Sequence, residues 1–92
     1  MTLAPNSREM QMRSRLAPLE PVLIEIIDES HKHAGHAGAR EGGGHYVLRI
    51  VSSRFAGKST VARHRMIYSA LGELMKREIH ALNIQASTPD EF

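Results

Sequence analysis

The 92-residue chain contains no cysteine and no tryptophan, and its aromatic share is 4%. Without cysteine it forms no disulfide and supplies no thiolate, so a soft metal centre here must use imidazole or take sulfur from a partner. So few aromatic rings leave little for stacking on nucleic-acid bases. Its longest apolar runs are strand-sized, which excludes a membrane-spanning helix. The opening residues Met1-Thr2-Leu3-Ala4-Pro5-Asn6 have neither the charged nor the apolar stretch of a secretion signal, and a cytoplasmic location is expected. The formal charge of +2 is mild, and a pI near 9.4 permits an anionic partner without indicating nucleic acid. With 41% hydrophobic and 24% charged residues, the composition is that of one soluble domain, residues 1–92, with one modest core.

Histidine and glycine are abundant in one place. The segment from Asp28 to His45 holds four of the six histidines, His31, His33, His36 and His45, together with Gly35, Gly38 and the run Gly42-Gly43-Gly44. A loop of this composition, residues 29–44, is expected to move, and its imidazoles are potential metal ligands. Residues 1–6 read as a flexible end. Ser7 to Leu16 is expected to form a short helix with Met12 and Leu16 on one side, stopped by Ala17-Pro18. Val22 to Asp28 is dense in β-branched residues, and Val22, Ile24 and Ile26 share a face at period two. His45 to Ser52 alternates in the same way, with Tyr46, Leu48 and Ile50 on one side.

Ser59 or Thr60 caps a long helix expected to run to about Glu78 on a stripe of Ile67, Leu71, Leu74 and Met75. Gly72 inside it costs roughly 1 kcal/mol relative to alanine, which suggests close approach of another backbone. His80 to Ala86 is a third strand, with Leu82, Ile84 and Ala86 alternating against Asn83 and Gln85. The order is α-β-β-α-β, an α+β domain in two layers with helices on one face of a three-stranded sheet. If the third strand crosses over to run parallel with the second, His45 and His80 lie at the same end. His80 is also in phase with Leu82 and Ile84, so its ring is expected to turn toward the covered face.

Several segments in order resemble the BolA family: Asp28-Glu29-Ser30-His31-Lys32-His33 after a strand, Val51-Ser52-Ser53-Arg54-Phe55 to Gly57, Arg63-His64-Arg65-Met66-Ile67-Tyr68, and Ile79-His80-Ala81-Leu82 followed by Thr88-Pro89. The resemblance implies an α-β-β-α-α-β domain with a three-stranded mixed sheet, similar to the class II KH fold without its Gly-x-x-Gly loop. It implies partnership with a monothiol glutaredoxin as a heterodimer, sharing a [2Fe-2S] cluster held by the glutaredoxin cysteine and a glutathione thiolate on one side and histidines of this chain on the other. By motif the ligands are His80 and His33, with His31, His36 and His45 as further histidines nearby; no cluster is expected in the isolated chain. Iron-sulfur centres do accept imidazole in place of thiolate. The resemblance also admits a DNA-binding transcription regulator.

Other readings of the same residues stand beside these. The loop histidines are equally a solvated polar cluster, or with His80 a zinc site, against which the loop's glycines weigh. His45 is expected simply to start a strand, and His64, on the stripe of Ile67 and Leu71, to be half-buried. Arg54, Lys58, Arg63 and Arg65 gather around a helix start, where duplex DNA would bind, although flanking acids dilute them. Gly57-Lys58-Ser59-Thr60 ends like a Walker A loop, but that motif needs glycine where Ser52 stands. Asp28, Ser30 and the histidines form no recognisable triad, so no catalysis is expected.

Overall fold

The computed structural model describes residues 7–29 and 44–92; the expected loose end and nearly all of the expected loop 29–44, with His31, His33 and His36, lie outside the described residues. The elements follow the order α1 (Ser7–Leu16), β1 (Leu23–Asp28), β2 (Gly44–Val51), α2 (Thr60–Leu71), α3 (Leu74–Arg77) and β3 (Ile79–Ser87), with 3-10 turns at Ala17–Leu19 and Ser53–Phe55. β2 is central, antiparallel to β1 and parallel to β3, as the crossover argument requires. Fold class and sheet are therefore those expected.

The core lies on one face of the sheet. Leu48 and Ile50 of β2 meet Met12 and Leu16 of α1, Ile67 and Leu71 of α2 and Phe55, all without solvent exposure. Ile24 and Ile26 complete that face from β1, and Leu82, Ile84 and Ala86 from β3. The opposite face carries no helix. There β2 contributes His45, Val47 and Arg49, and Arg49 bonds Glu25 across the β1 pairing at 2.8 Å.

Three details differ from the sequence reading. Val22 lies before β1 and is 71% exposed, although its N–H still donates to the Val51 carbonyl of β2 at 2.8 Å. The long helix breaks: Ser59 caps α2 as expected, accepting from the Ala62 N–H, but Gly72 ends it and α3 restarts at Leu74. Gly72 has φ +54° and an added Cβ would meet nothing closer than 3.7 Å, so the glycine serves backbone conformation, not close approach. Close approach is found at Gly44, where a Cβ would strike the ring of buried Tyr46 and come within 2.7 Å of Arg8 Nη1.

Arginines from the helices reach the outer strands. Arg13 donates to the carbonyl of Ile24 at 3.3 Å, and Arg63 to that of Ala86 at 3.2 Å. Buried Ser52 ties the sheet to the chain before it, donating to the Leu19 carbonyl at 2.6 Å while accepting from the Arg54 N–H.

Candidate functional site at the histidine end of the sheet

The site grows out of an irregularity. Along β2 and β3 the parallel register runs Gly44 with Ile79 and then His45 with Ala81, so His80 is one residue too many. Such a bulge reverses the alternation of side chains on the strand that carries it. Ile79 therefore points into the core, 4% exposed, while His80 is exposed and Leu82 returns to the covered face. The expectation that His80 turns toward the covered face is corrected on this ground: strand parity counted back from Leu82 is broken one residue beyond it.

The bulge brings His80 to His45. Their ring centroids are 5.0 Å apart with the planes tilted by 46°. His45, expected only to start a strand, does so and also faces His80 from the neighbouring strand. Beside them on the helix-free face is a concavity of about 420 Å³ whose walls include Glu29, His45, Val47, Ala81 and Asn83. Among the described residues no group of three or more His, Cys, Asp or Glu side chains is placed to hold a metal. His64 sits half-buried on α2, away from the bulge in the chain's order of elements.

A polar clamp beneath the bulge was missed by the sequence reading. Arg8 of α1 donates from Nε to Glu78 Oε1 at 3.0 Å and from Nη1 to the Tyr46 hydroxyl at 3.4 Å. Burial weakens the Arg8 charge, yet the hydrogen bonds to Tyr46 and Glu78 outweigh it and raise its pKa above the ordinary arginine value. The Gly44 N–H donates to the Glu78 carbonyl at 3.0 Å, so the residue preceding Ile79 is held both by side chain and by backbone. Only the adjacency of Glu78 to the strand entry was visible in sequence; its partner lies seventy positions away.

The basic group at the start of α2 is partly committed. Arg54 pairs with Glu20 Oε1 at 2.8 Å. Arg63 grips Glu91 with both terminal nitrogens, at 2.6 and 3.0 Å, and also donates to the Lys58 and Ala86 carbonyls. The Arg63 bonds, with the Thr88 N–H, hold the Glu91 carboxyl well below its ordinary range, at about 2. Lys58 and Arg65 remain exposed.

Comparison with known proteins bears on both sites. Residues 16–91 match the family described as BolA-like protein. The chain is 47% identical over 95 residues to SufE-like protein 1, chloroplastic/mitochondrial, of Arabidopsis thaliana, covering 97% of this chain and 26% of that protein. It thus spans about a quarter of that relative's length. It is 38% identical over 88 residues to the DNA-binding transcriptional regulator BolA of Escherichia coli (strain K12), covering 90% of this chain and 81% of that protein. The solved BolA domain of SufE1 from Arabidopsis thaliana superimposes with a TM-score of 0.81 at 47% identity, covering 99% of this chain and 100% of that one. No helix among the described residues is long and apolar enough to cross a membrane, and the organelle name of the plant relative differs from the cytoplasmic expectation.

Proposed function

The chain belongs to the BolA-like protein family, and from that premise we propose that it is an adaptor that binds a monothiol glutaredoxin and co-ligates a [2Fe-2S] cluster with it, in iron-sulfur cluster assembly or trafficking or in iron regulation. His80 is one ligand of this chain and His33 the other, with His31, His36 and His45 as the less favoured alternatives to His33. The observation that carries the reading is the bulge, which delivers His80 to the surface at the end of the sheet where the histidine-rich segment runs into β2.

The donor set fits such a cluster. A chain with no thiolate contributes imidazole only, so sulfur ligands come from the glutaredoxin cysteine and glutathione. When bound, a cluster with imidazole ligands supplies a one-electron centre of raised potential relative to an all-thiolate one. This chain's part is to present imidazole on a strand whose base is fixed by Arg8, Glu78 and Gly44. Imidazole competes with protons near neutral pH, which suits a cluster that is sensed or handed on. No substrate is turned over. The compartment in this reading is the cytoplasm.

The test is to mix the chain with a monothiol glutaredoxin, glutathione, iron and sulfide and compare visible circular dichroism for wild type and His80→Ala. A changed or lost cluster spectrum is expected; an unchanged one removes His80.

A second reading is favoured by the Escherichia coli relative's name, that of a DNA-binding transcriptional regulator. Lys58 and Arg65 would then contact phosphate, while Arg54 and Arg63 are engaged by Glu20 and Glu91. It predicts duplex binding that falls steeply with salt, weakens in Arg65→Ala and is indifferent to His80→Ala.

A further inference from the structure

We infer that Arg8, in the first turn of α1, is a positioning residue for His80: its guanidinium holds the entry of β3 in the bulged form, and through it α1 sets the face of the sheet on which His80 stands. The inference rests on the proposed function for its consequence, the offer of His80 to a cluster, but not for its geometry. Arg8 lies before residues 16–91, so the match to the family does not reach it.

Two arrangements compete where β3 begins. If the pairing of His45 with Ala81 continued backward without a break, His80 would sit opposite Gly44. Strand alternation would then put His80 in phase with Leu82 and Ile84, on the face that carries the helices, and turn Ile79 out to solvent. In the structure Ile79 takes the place opposite Gly44 and is 4% exposed, while His80 is set out beside His45. Burial of Ile79 favours this form. Apolar burial is non-directional, however, and does not by itself fix how the chain turns from α3 into β3.

Arg8 supplies the direction. Its Nε donates to Glu78 Oε1 at 3.0 Å and its Nη1 to the Tyr46 hydroxyl at 3.4 Å, so one guanidinium joins the residue before Ile79 to the central strand. A bond between two charged groups is roughly twice as strong as one between neutral groups. The Glu78 carbonyl is held in addition by the Gly44 N–H at 3.0 Å. The guanidinium also occupies the rival place. Measured from where a Cβ would stand on Gly44, Arg8 Nη1 lies at 2.7 Å and the Tyr46 hydroxyl at 2.8 Å. An inward His80 opposite Gly44 would have to enter that ground, so the same group fastens the bulge and blocks its alternative. Arg13, further along α1, reaches the Ile24 carbonyl of β1 at 3.3 Å instead, and the two arginines therefore act on different strands.

The experiment uses the full chain and the variants Arg8→Ala, Arg8→Lys, Glu78→Ala, Arg13→Ala and His80→Ala. Nuclear Overhauser contacts of the His80 ring are read on the isolated chain, and visible circular dichroism on its mixture with a monothiol glutaredoxin, glutathione, iron and sulfide. The contact between the His45 and His80 rings is expected to be lost in Arg8→Ala and Glu78→Ala, with new contacts from His80 to Tyr46 or Leu82. It is kept in Arg8→Lys, which retains a cation for Glu78, and in Arg13→Ala, which loosens α1 at the other strand. If Arg8→Ala does not fold, Glu78→Ala cuts the same bond from the opposite side and carries the test. A ring contact intact in Arg8→Ala and Glu78→Ala, or lost in Arg13→Ala as well, overturns the inference, because mere loosening of α1 would not distinguish the two arginines. In the mixture, the glutaredoxin needed for a half-maximal cluster signal rises about tenfold in Arg8→Ala and returns toward the wild-type value in Arg8→Lys. A wild-type cluster titration in Arg8→Ala that has lost the ring contact overturns the positioning role. A cluster spectrum indifferent to His80→Ala fails the proposed function alone, since the ring contact still reads where Arg8 puts His80.

Discussion

The two ends of β3 are built on opposite plans. At its C-terminal end the strand is tied down by backbone and side chains: the Ser52 N–H donates to the Ser87 carbonyl at 2.9 Å, and Arg63 joins the Ala86 carbonyl to the Glu91 carboxylate, which in turn accepts from the Thr88 N–H at 3.0 Å. At its N-terminal end the ladder slips by one residue and leaves an exposed imidazole beside a second one. Polar side chains close on one another at the first end, whereas at the second two imidazoles sit above the Arg8–Glu78 clamp. The register is fixed along seven paired positions from His45 to Val51, which confines the irregularity to the end where chemistry is proposed.

Each prediction strains one end against the other. The largest effect is expected from Leu48→Ala, in the fully buried middle of the central strand, with a loss of ~2–5 kcal/mol in denaturant unfolding and both ends weakened together. Gly44→Ala strikes Tyr46 and Arg8 at the histidine end, so about 1–3 kcal/mol of stability is lost and the His45 and His80 ring resonances move while those of Thr88 and Glu91 stay.

Glu91→Gln acts on the other end through pH. Because the folded state lowers the Glu91 pKa from 4.5 to about 2, the carboxylate's contribution is complete above 4.5 and is lost as pH falls toward 2. The wild type's thermal midpoint should therefore fall over that interval more steeply than that of the variant. The smallest effect on stability is expected from His80→Ala, an exposed position, within about 0.5 kcal/mol by chemical denaturation. A larger loss would mean that His80 belongs to the fold and not to a site.

Much of this division was legible from residue order. The β-branched runs, the Ser59 cap and the crossover that puts His45 and His80 at one end all follow from local periodicity and handedness. What was illegible depends on long-range contact. A bulge leaves no mark in the alternation of His80 to Ala86, since Leu82, Ile84 and Ala86 keep their phase and only the residue beyond them changes sides. Likewise the stripe from Ile67 to Met75 continues in register across Gly72, so its periodicity hides a break made by a positive φ. Arg63 read as one of a basic group at a helix start because Glu91, its partner, lies twenty-eight residues on.

The guanidinium groups of Arg13 and Arg63 occupy carbonyls of β1 and β3, the two strands that border the sheet. A neighbouring copy seeking to extend the ladder sideways past Ile24 or Ala86 would have to displace the cation that holds that carbonyl. The small domain thus carries a built-in obstacle to polymerising strand upon strand, and it is supplied by its own helices.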